Sequence, residues 1–253
     1  VEPLIIGIVY FISLYFSVFF ILVYFDKREE FKQEKSKTTL SNFPKVSIII
    51  PAYNESNTII GTMDSVAKIN YPSNLLDVIV VNDGSSDDTL LKMKEFIATN
   101  NVPHFRILSH KNKGKAASMN TAMKIAKGKF FACLDADSFV DPNTLRKMLN
   151  MYMCENDPKL AVITPAMKVF KPKNILQKIQ WFEYLIMIFV GRITSQLDAI
   201  YVAPGPFSLY RKDIITKIGG FDEQTLTEDQ EIAYRLQEKH YRIKQCFDGY
   251  VHT

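Results

Sequence analysis

The first stretch of the chain has no polar face. From Pro3 to Phe25 there are 23 residues without a charge, and 16 of them are Leu, Ile, Val or Phe. At about −0.3 to −0.6 kcal/mol for each such residue, insertion into a bilayer is favourable by roughly 5 to 10 kcal/mol. The run matches a hydrocarbon layer of about 30 Å. Residues 1–25 are therefore predicted to form one transmembrane helix, with Tyr24 and Phe25 near an interface. A cleaved leader fits poorly, because the run lacks a basic start, is longer than a leader's apolar core and has no small-x-small cleavage site. Residues 26–44 are polar, carry both signs of charge and show no apolar periodicity, which reads as a linker.

Beyond the linker, short β-branched runs alternate with helical patterns. Strands are predicted at Val46–Ile50, Asp77–Val81, Phe105–Leu108, Phe130–Leu134 and Leu160–Ile163. Helices are predicted at 55–68, Asp87–Thr99, Lys115–Lys127 and Asn143–Cys154. Pro51 ends the first strand, and Pro142 suits the first turn of a helix. The alternation predicts an α/β fold in which a mainly parallel sheet is flanked by helices, with ligands at the carboxyl ends of the strands. Residues 174–192 are apolar with Lys178 and Glu183 interspersed. Their uncharged run, Tyr184 to Val190, is too short to span a bilayer. A core helix and a helix shaping an acceptor groove near the membrane surface both fit.

Charge and composition narrow the class. A mean hydropathy of −0.03 averages a lipid-soluble segment with a water-soluble remainder. The 31 basic and 27 acidic residues are too balanced for a partner that is nucleic acid. Cys133, Cys154 and Cys246 are widely spaced and odd in number, which suits a reducing compartment rather than a disulfide framework or zinc site. Glu2 precedes the apolar run, whereas Lys27, Arg28, Lys32, Lys35 and Lys37 follow it. The positive-inside rule thus predicts a cell-membrane protein with everything after residue 26 in the cytoplasm, and no glycan on Asn54-Glu55-Ser56.

Polar groups follow the predicted strands: Tyr53, Asn54 and Glu55 after the first, Asn82 and Asp83 after the second, Asp135 and Asp137 after the fourth. No G-x-G-x-x-G follows the first strand and no P-loop motif occurs. Asp135-Ala136-Asp137 leaves a buried run and enters a turn. Paired carboxylates there suit Mg²⁺ or Mn²⁺, with open positions for substrate phosphates; a turn that uses Asp for capping is the plainer alternative.

The ordered set Pro51-Ala52-Tyr53-Asn54-Glu55, Val80 to Thr89 with Asn82-Asp83-Gly84, Gly114-Lys115 to Asn120, Asp135/Asp137 and Thr227-Glu228-Asp229 resembles the family-2 glycosyltransferases of the GT-A fold. Gly205-Pro206-Phe207 to Arg211 and Gly219-Gly220-Phe221-Asp222 are similar to the membrane-embedded subgroup that includes hyaluronan, chitin, cellulose and poly-N-acetylglucosamine synthases. The resemblance covers residues 45–253 and implies the following roles. Tyr53 and Glu55 bind the nucleoside end of a nucleotide-sugar donor, a UDP-sugar, and Asp83 its base or ribose. Lys115 approaches the diphosphate, Asp135 binds both donor and metal, and Asp137 binds metal. Asp229 is the general base, which implies inversion at the anomeric carbon, and Gly205, Pro206 and Glu228 stand on the acceptor side, toward a saccharide or lipid-linked acceptor.

Duller readings stand beside these. Asp83-Gly84 with Ser85 and Ser86 also suits a turn and helix cap, Lys115 a solvated lysine, and Asp229 a helix-dipole partner. The synthases' Gln-x-x-Arg-Trp motif does not occur, and the single Trp stands at 181. The domain is expected to be truncated at its C-terminus. Transfer to a lipid carrier, without polymerisation, is the alternative activity, and an idle nucleotide- or metal-binding scaffold is the alternative class.

Overall fold

The computed structural model describes residues 2–28 and 42–253. Most of the expected linker and its charges Lys32, Lys35 and Lys37 lie outside them. Helix α1 (Glu2–Asp26) contains a segment, Pro3–Asp26, long and apolar enough to cross a membrane. At 1.5 Å per residue its 24 residues reach about 36 Å, and the other described residues leave the apolar window uncovered.

The remaining elements are β1 (Val46–Ala52), α2 (Ile59–Ala67), β2 (Leu76–Asp83), α3 (Thr89–Thr99), β3 (Phe105–His110), α4 (Lys115–Ile125), β4 (Phe130–Cys133), β5 (Phe139–Val140), α5 (Thr144–Glu155), β6 (Leu160–Lys168), α6 (Ile175–Gln196), β7 (Leu209–Arg211), α7 (Lys212–Lys217), α8 (Glu228–Glu238) and β8 (Arg242–His252). The strands form one sheet in the order β3-β2-β1-β4-β7-β6-β8-β5. β1 pairs in parallel with β2 and β4, and β2 with β3. β7 runs antiparallel between β4 and β6, while β8 is parallel to β6 and antiparallel to the short β5. The sheet is therefore mixed and mostly parallel.

Strand alternation divides the core into two layers. Ile48, Ile50, Val78 and Val80 pack with Met63, Met93 and Met148 from α2, α3 and α5. On the other face Ile49, Ile79 and Val81 pack with Met119, Ile215 and Ile232 from α4, α7 and α8. Helices thus cover both faces, as parallel strands buried on both sides require.

Several expectations are corrected. β1 continues through Pro51 to Ala52, which pair with Val81 and Asn82 of β2, whereas its pairing with β4 ends at Ile49 and Cys133. Residues on that side beyond Ile49 have no ladder partner, so the missing proline N–H removes no sheet hydrogen bond. The first two predicted helices begin later, at Ile59 and Thr89, since residues 54–58 and 84–88 form turns that bond to each other. The strands β5, β7 and β8 add to the five expected from the sequence pattern. The core-helix reading of residues 174–192 fails: of α6 only Ile193 and Ser195 are buried.

Candidate active site

Tyr53, Glu55, Asp83, Asp135 and Asp137 stand at or just after carboxyl strand ends, Lys115 at the start of α4, Gly205 and Pro206 in the loop before β7, and Glu228 and Asp229 at the start of α8. Tyr53, Glu55, Asp83, Lys115, Asp135 and Asp137 all line one open cleft of about 270 Å³. Half of Tyr53 is exposed, so its ring is available to stack on a ligand. Asn54, in the left-handed region at φ 57°, accepts from the Ser86 backbone N–H at 2.9 Å. Thr89 Oγ1 accepts from the Glu55 backbone N–H at 2.8 Å, and Asp87 accepts from Ser56 N–H at 3.2 Å. These bonds join the β1–α2 and β2–α3 turns into one wall. Hydrogen bonds from the Thr89 hydroxyl, and further ones from backbone N–H groups, hold the Asp87 carboxyl at about 2.

Asp83 is buried, and its two carboxylate oxygens accept from the backbone N–H groups of Lys113 at 2.8 Å and Gly114 at 2.9 Å. His110 Nδ1 lies 3.2 Å from the same carboxylate. Asp83 therefore fixes the loop that delivers Lys115 at the start of α4. His110, Asp87 and Thr89 are not among the expected site residues. The Asp-Gly-Ser-Ser-Asp-Asp-Thr run carries the signal for the last two, but His110 finds Asp83 only through the pairing of β2 with β3.

The Asp135 turn is held by Leu134 N–H donating to Ile49 O at 2.9 Å and by the Thr62 hydroxyl donating to Ala136 O at 2.8 Å. Asp135 is partly buried and Asp137 exposed. Lys115 Nζ lies 2.6 Å from Asp135 Oδ1 and 3.1 Å from Glu228 Oε1. Burial would lower the Lys115 pKa, but the Asp135 and Glu228 carboxylates override it and raise the value. Glu228, expected on the acceptor side, thus touches the same lysine as Asp135, expected on the donor side.

Gly205 fits over this ion pair. A Cβ there would stand 2.8 Å from Lys115 Nζ and 3.1 Å from Asp135 Oδ2. The segment is pinned from both ends, by Ala203 N–H on Asp229 O at 3.1 Å and by Phe207 N–H on Cys133 O. Pro206 is buried behind it. Asp229 begins α8 beside Glu228 and accepts from the Gln230 N–H at 2.8 Å. Burial raises its pKa first, and the Glu228 charge adds to the rise.

A divalent cation fits this donor set. Among the described residues no group of three or more His, Cys, Asp or Glu side chains converges on a metal position. Two carboxylates on one turn match a cation that takes its other oxygens from water and a diphosphate.

A second cleft, of about 300 Å³, lies between α6 and β6 and is lined by Tyr184, Met187, Tyr201 and Pro204. Pro204 precedes Gly205, so this apolar space adjoins the charged cleft.

Residues 47–219 match the model of the glycosyl transferase family 2. The chain is 32% identical over 239 residues to a poly-β-1,6-N-acetyl-D-glucosamine synthase of Staphylococcus aureus, covering 92% of this chain and 56% of the relative. It is 31% identical over 236 residues to the synthase of the same name in Staphylococcus epidermidis, with the same coverage. The chain thus spans about half the length of the curated relatives it matches. Among solved structures, the mannosyltransferase PcManGT from Pyrobaculum calidifontis, in complex with GDP-Man and Mn²⁺, superposes with a TM-score of 0.71 at 20% identity, covering 96% of this chain and 67% of that one. S. aureus TarS 1–349 in complex with UDP-GlcNAc gives 0.61 at 23% identity, covering 81% of this chain and 58% of that one. These likenesses establish a GT-A fold. Fold, family match and relatives agree: the chain belongs to glycosyl transferase family 2.

Proposed function

We propose that this chain is the membrane-anchored catalytic part of an inverting glycosyltransferase that moves a sugar from a nucleoside diphosphate donor, a UDP-sugar, to a saccharide acceptor. The observation that carries the reading is Lys115, held between Asp135 and Glu228 at the mouth of a cleft that also contains Asp137. In this reading Tyr53, Glu55 and Asp83 form the nucleoside end of that cleft, and Lys115 faces the diphosphate. Asp135 and Asp137 would hold Mg²⁺ or Mn²⁺, which when bound neutralises charge on the leaving diphosphate. PcManGT was solved with Mn²⁺ and a nucleotide-sugar, which supports the cation in the fold and leaves its role here as our proposal.

Chemically, an acceptor hydroxyl oxygen forms a bond to the anomeric carbon while the bond from that carbon to the diphosphate oxygen breaks. Asp229 takes the hydroxyl proton, and the nucleoside diphosphate leaves with its charge opposite Lys115. One displacement inverts the anomeric centre. A base that is to accept a proton near neutral pH benefits from a raised pKa, and burial beside Glu228 supplies the rise at Asp229.

Gly205, Pro206 and Glu228 complete the acceptor side, next to the apolar cleft under α6. That cleft and α1 favour a second reading of the acceptor, a saccharide carried on a lipid. The relatives' name makes UDP-N-acetylglucosamine the first donor to test. Radiolabelled nucleotide sugars incubated with membranes containing the protein, with Mg²⁺ or Mn²⁺ or after chelation, should give cation-dependent donor consumption and a labelled product. Cation-independent binding and no consumption of any donor would leave only a nucleotide-binding scaffold.

A further inference from the structure

Helix α6 presents its apolar side outward. Ile175, Ile179, Phe182, Ile186 and Phe189 follow one another at i, i+4, i+7, i+11 and i+14, and are 80%, 52%, 59%, 47% and 41% exposed. On a helix this spacing is one stripe. Tyr184 and Met187 reach the apolar cleft beside Pro204, and of the stripe residues Ile186 also lines it. Helices that flank a sheet normally turn such a stripe inward.

The stripe ends where α1 ends. The rings of Phe189 and Tyr24 lie 5.7 Å apart, and Tyr24 stands three residues from the last residue of α1 counted inclusively. In the reading that α1 crosses a bilayer, this contact is at interfacial depth. α6 cannot follow α1 through the bilayer, because Lys178 and Glu183 interrupt it and its uncharged run is too short. Exposed Lys171 and Lys173 precede it, a placement suited to anionic headgroups.

We infer that α6 lies on the membrane surface, its outward stripe of Ile175, Ile179 and Phe182 buried at the headgroup and acyl boundary of the bilayer that α1 crosses. The inference rests on the transmembrane reading of α1. The occupant is lipid because the stripe continues from the interfacial end of an uncovered apolar helix and its flanking charges are basic. An interfacial helix sinks its apolar face about 5–10 Å. The cleft under α6 then opens beside the membrane, next to Gly205 and Lys115, where an acceptor leaving or entering the bilayer would arrive.

Trp181, the one tryptophan of the chain, sits on α6 and is 42% exposed. The 253-residue protein is reconstituted in vesicles of phosphatidylcholine and phosphatidylglycerol carrying lipids brominated either high or low on the acyl chain, and flotation is measured alongside. Lipid contact predicts blue-shifted Trp181 emission, quenched more by the shallow bromines than by the deep ones. The double variant Ile179→Glu and Phe182→Glu, which changes only exposed side chains that line neither cleft, should lose most of that quenching while still floating and still binding nucleoside diphosphate. A chain that floats with Trp181 unquenched overturns the inference and leaves the anchor standing, whether the emission is red, from water, or blue, from a covering protein surface. Unchanged quenching in the double variant also overturns it. A chain that fails to float overturns the anchor and the inference together.

Discussion

Replacing Asp229 by Asn separates the proposed base from the donor site. Asn keeps the size of the side chain and an oxygen able to accept from the Gln230 N–H, so the start of α8 should persist. The charge it removes is one the fold disfavours: burial, then Glu228, raises the Asp229 pKa. A raised folded-state value means that this carboxylate contributes its full stability only below its unfolded pKa of about 3.9, and loses stability as pH rises through the folded value. At neutral pH Asp229→Asn should therefore melt no lower than the parent, and any gain should vanish in acid. Nucleoside diphosphate affinity should stay within a factor of about three, while transfer falls by roughly 10² to 10⁴, equivalent to about 2.7–5.4 kcal/mol in the barrier. The parent's activity should fail on the acid side at a pH higher than an unperturbed Asp would set, because only the ionised base accepts the proton. Calorimetric titration, thermal melts at neutral and acid pH and a radiolabel transfer assay provide the readouts. Near-normal transfer by Asp229→Asn would refute the assignment and direct attention to Glu228 and Asp222. Complete loss of nucleotide binding by a folded variant would put Asp229 in the donor site instead.

Asp137→Asn should lower the dependence of nucleoside diphosphate binding on Mg²⁺ or Mn²⁺, measured by calorimetry before and after chelation, with no change in fold by circular dichroism. Gly205→Ala places a methyl 2.8 Å from Lys115 Nζ; because the lysine end can move, unfolding free energy should change by no more than about 0.5 kcal/mol, while transfer drops at least about tenfold, or 1.4 kcal/mol. At the opposite end of the strands, Arg106 donates from Nε to buried Asp77 at 2.9 Å, where Ser47 also donates at 2.8 Å. Arg106→Met should cost about 3 kcal/mol in denaturant melts, the low end for orphaning a buried charge because the arginine is one-third exposed. Burial pushes Asp77 up, but the Arg106 and backbone hydrogen bonds outweigh it and lower its pKa; the stabilisation is therefore present above the unfolded carboxylate value and lost as acid titrates Asp77 through its lowered one.

Local pattern alone determined the apolar α1 run, the parallel strands β1 to β4 with their helices, and the polar groups at the strand ends. In each case one short window carries the physical cause: a long uncharged run, a β-branched run or a turn motif. The strands β5 and β7 are too short to show a period, and β8 opens Arg242-Ile243-Lys244-Gln245, with few apolar positions. Their pairing is decided by neighbours far away in sequence. The site divides the same way. Asp135 and Asp137 share a turn that the sequence announces, but the union of Lys115 with Asp135 and Glu228 exists only because β4, the start of α4 and the start of α8 meet at one sheet end. Likewise, residues 174–192 show an apolar stripe whatever it faces. Only the packed sheet, already covered by α4, α7 and α8 on one side and by α2, α3 and α5 on the other, decides that the stripe of α6 points outward, since a hydrophobic period records a face that avoids water and not the surface it meets.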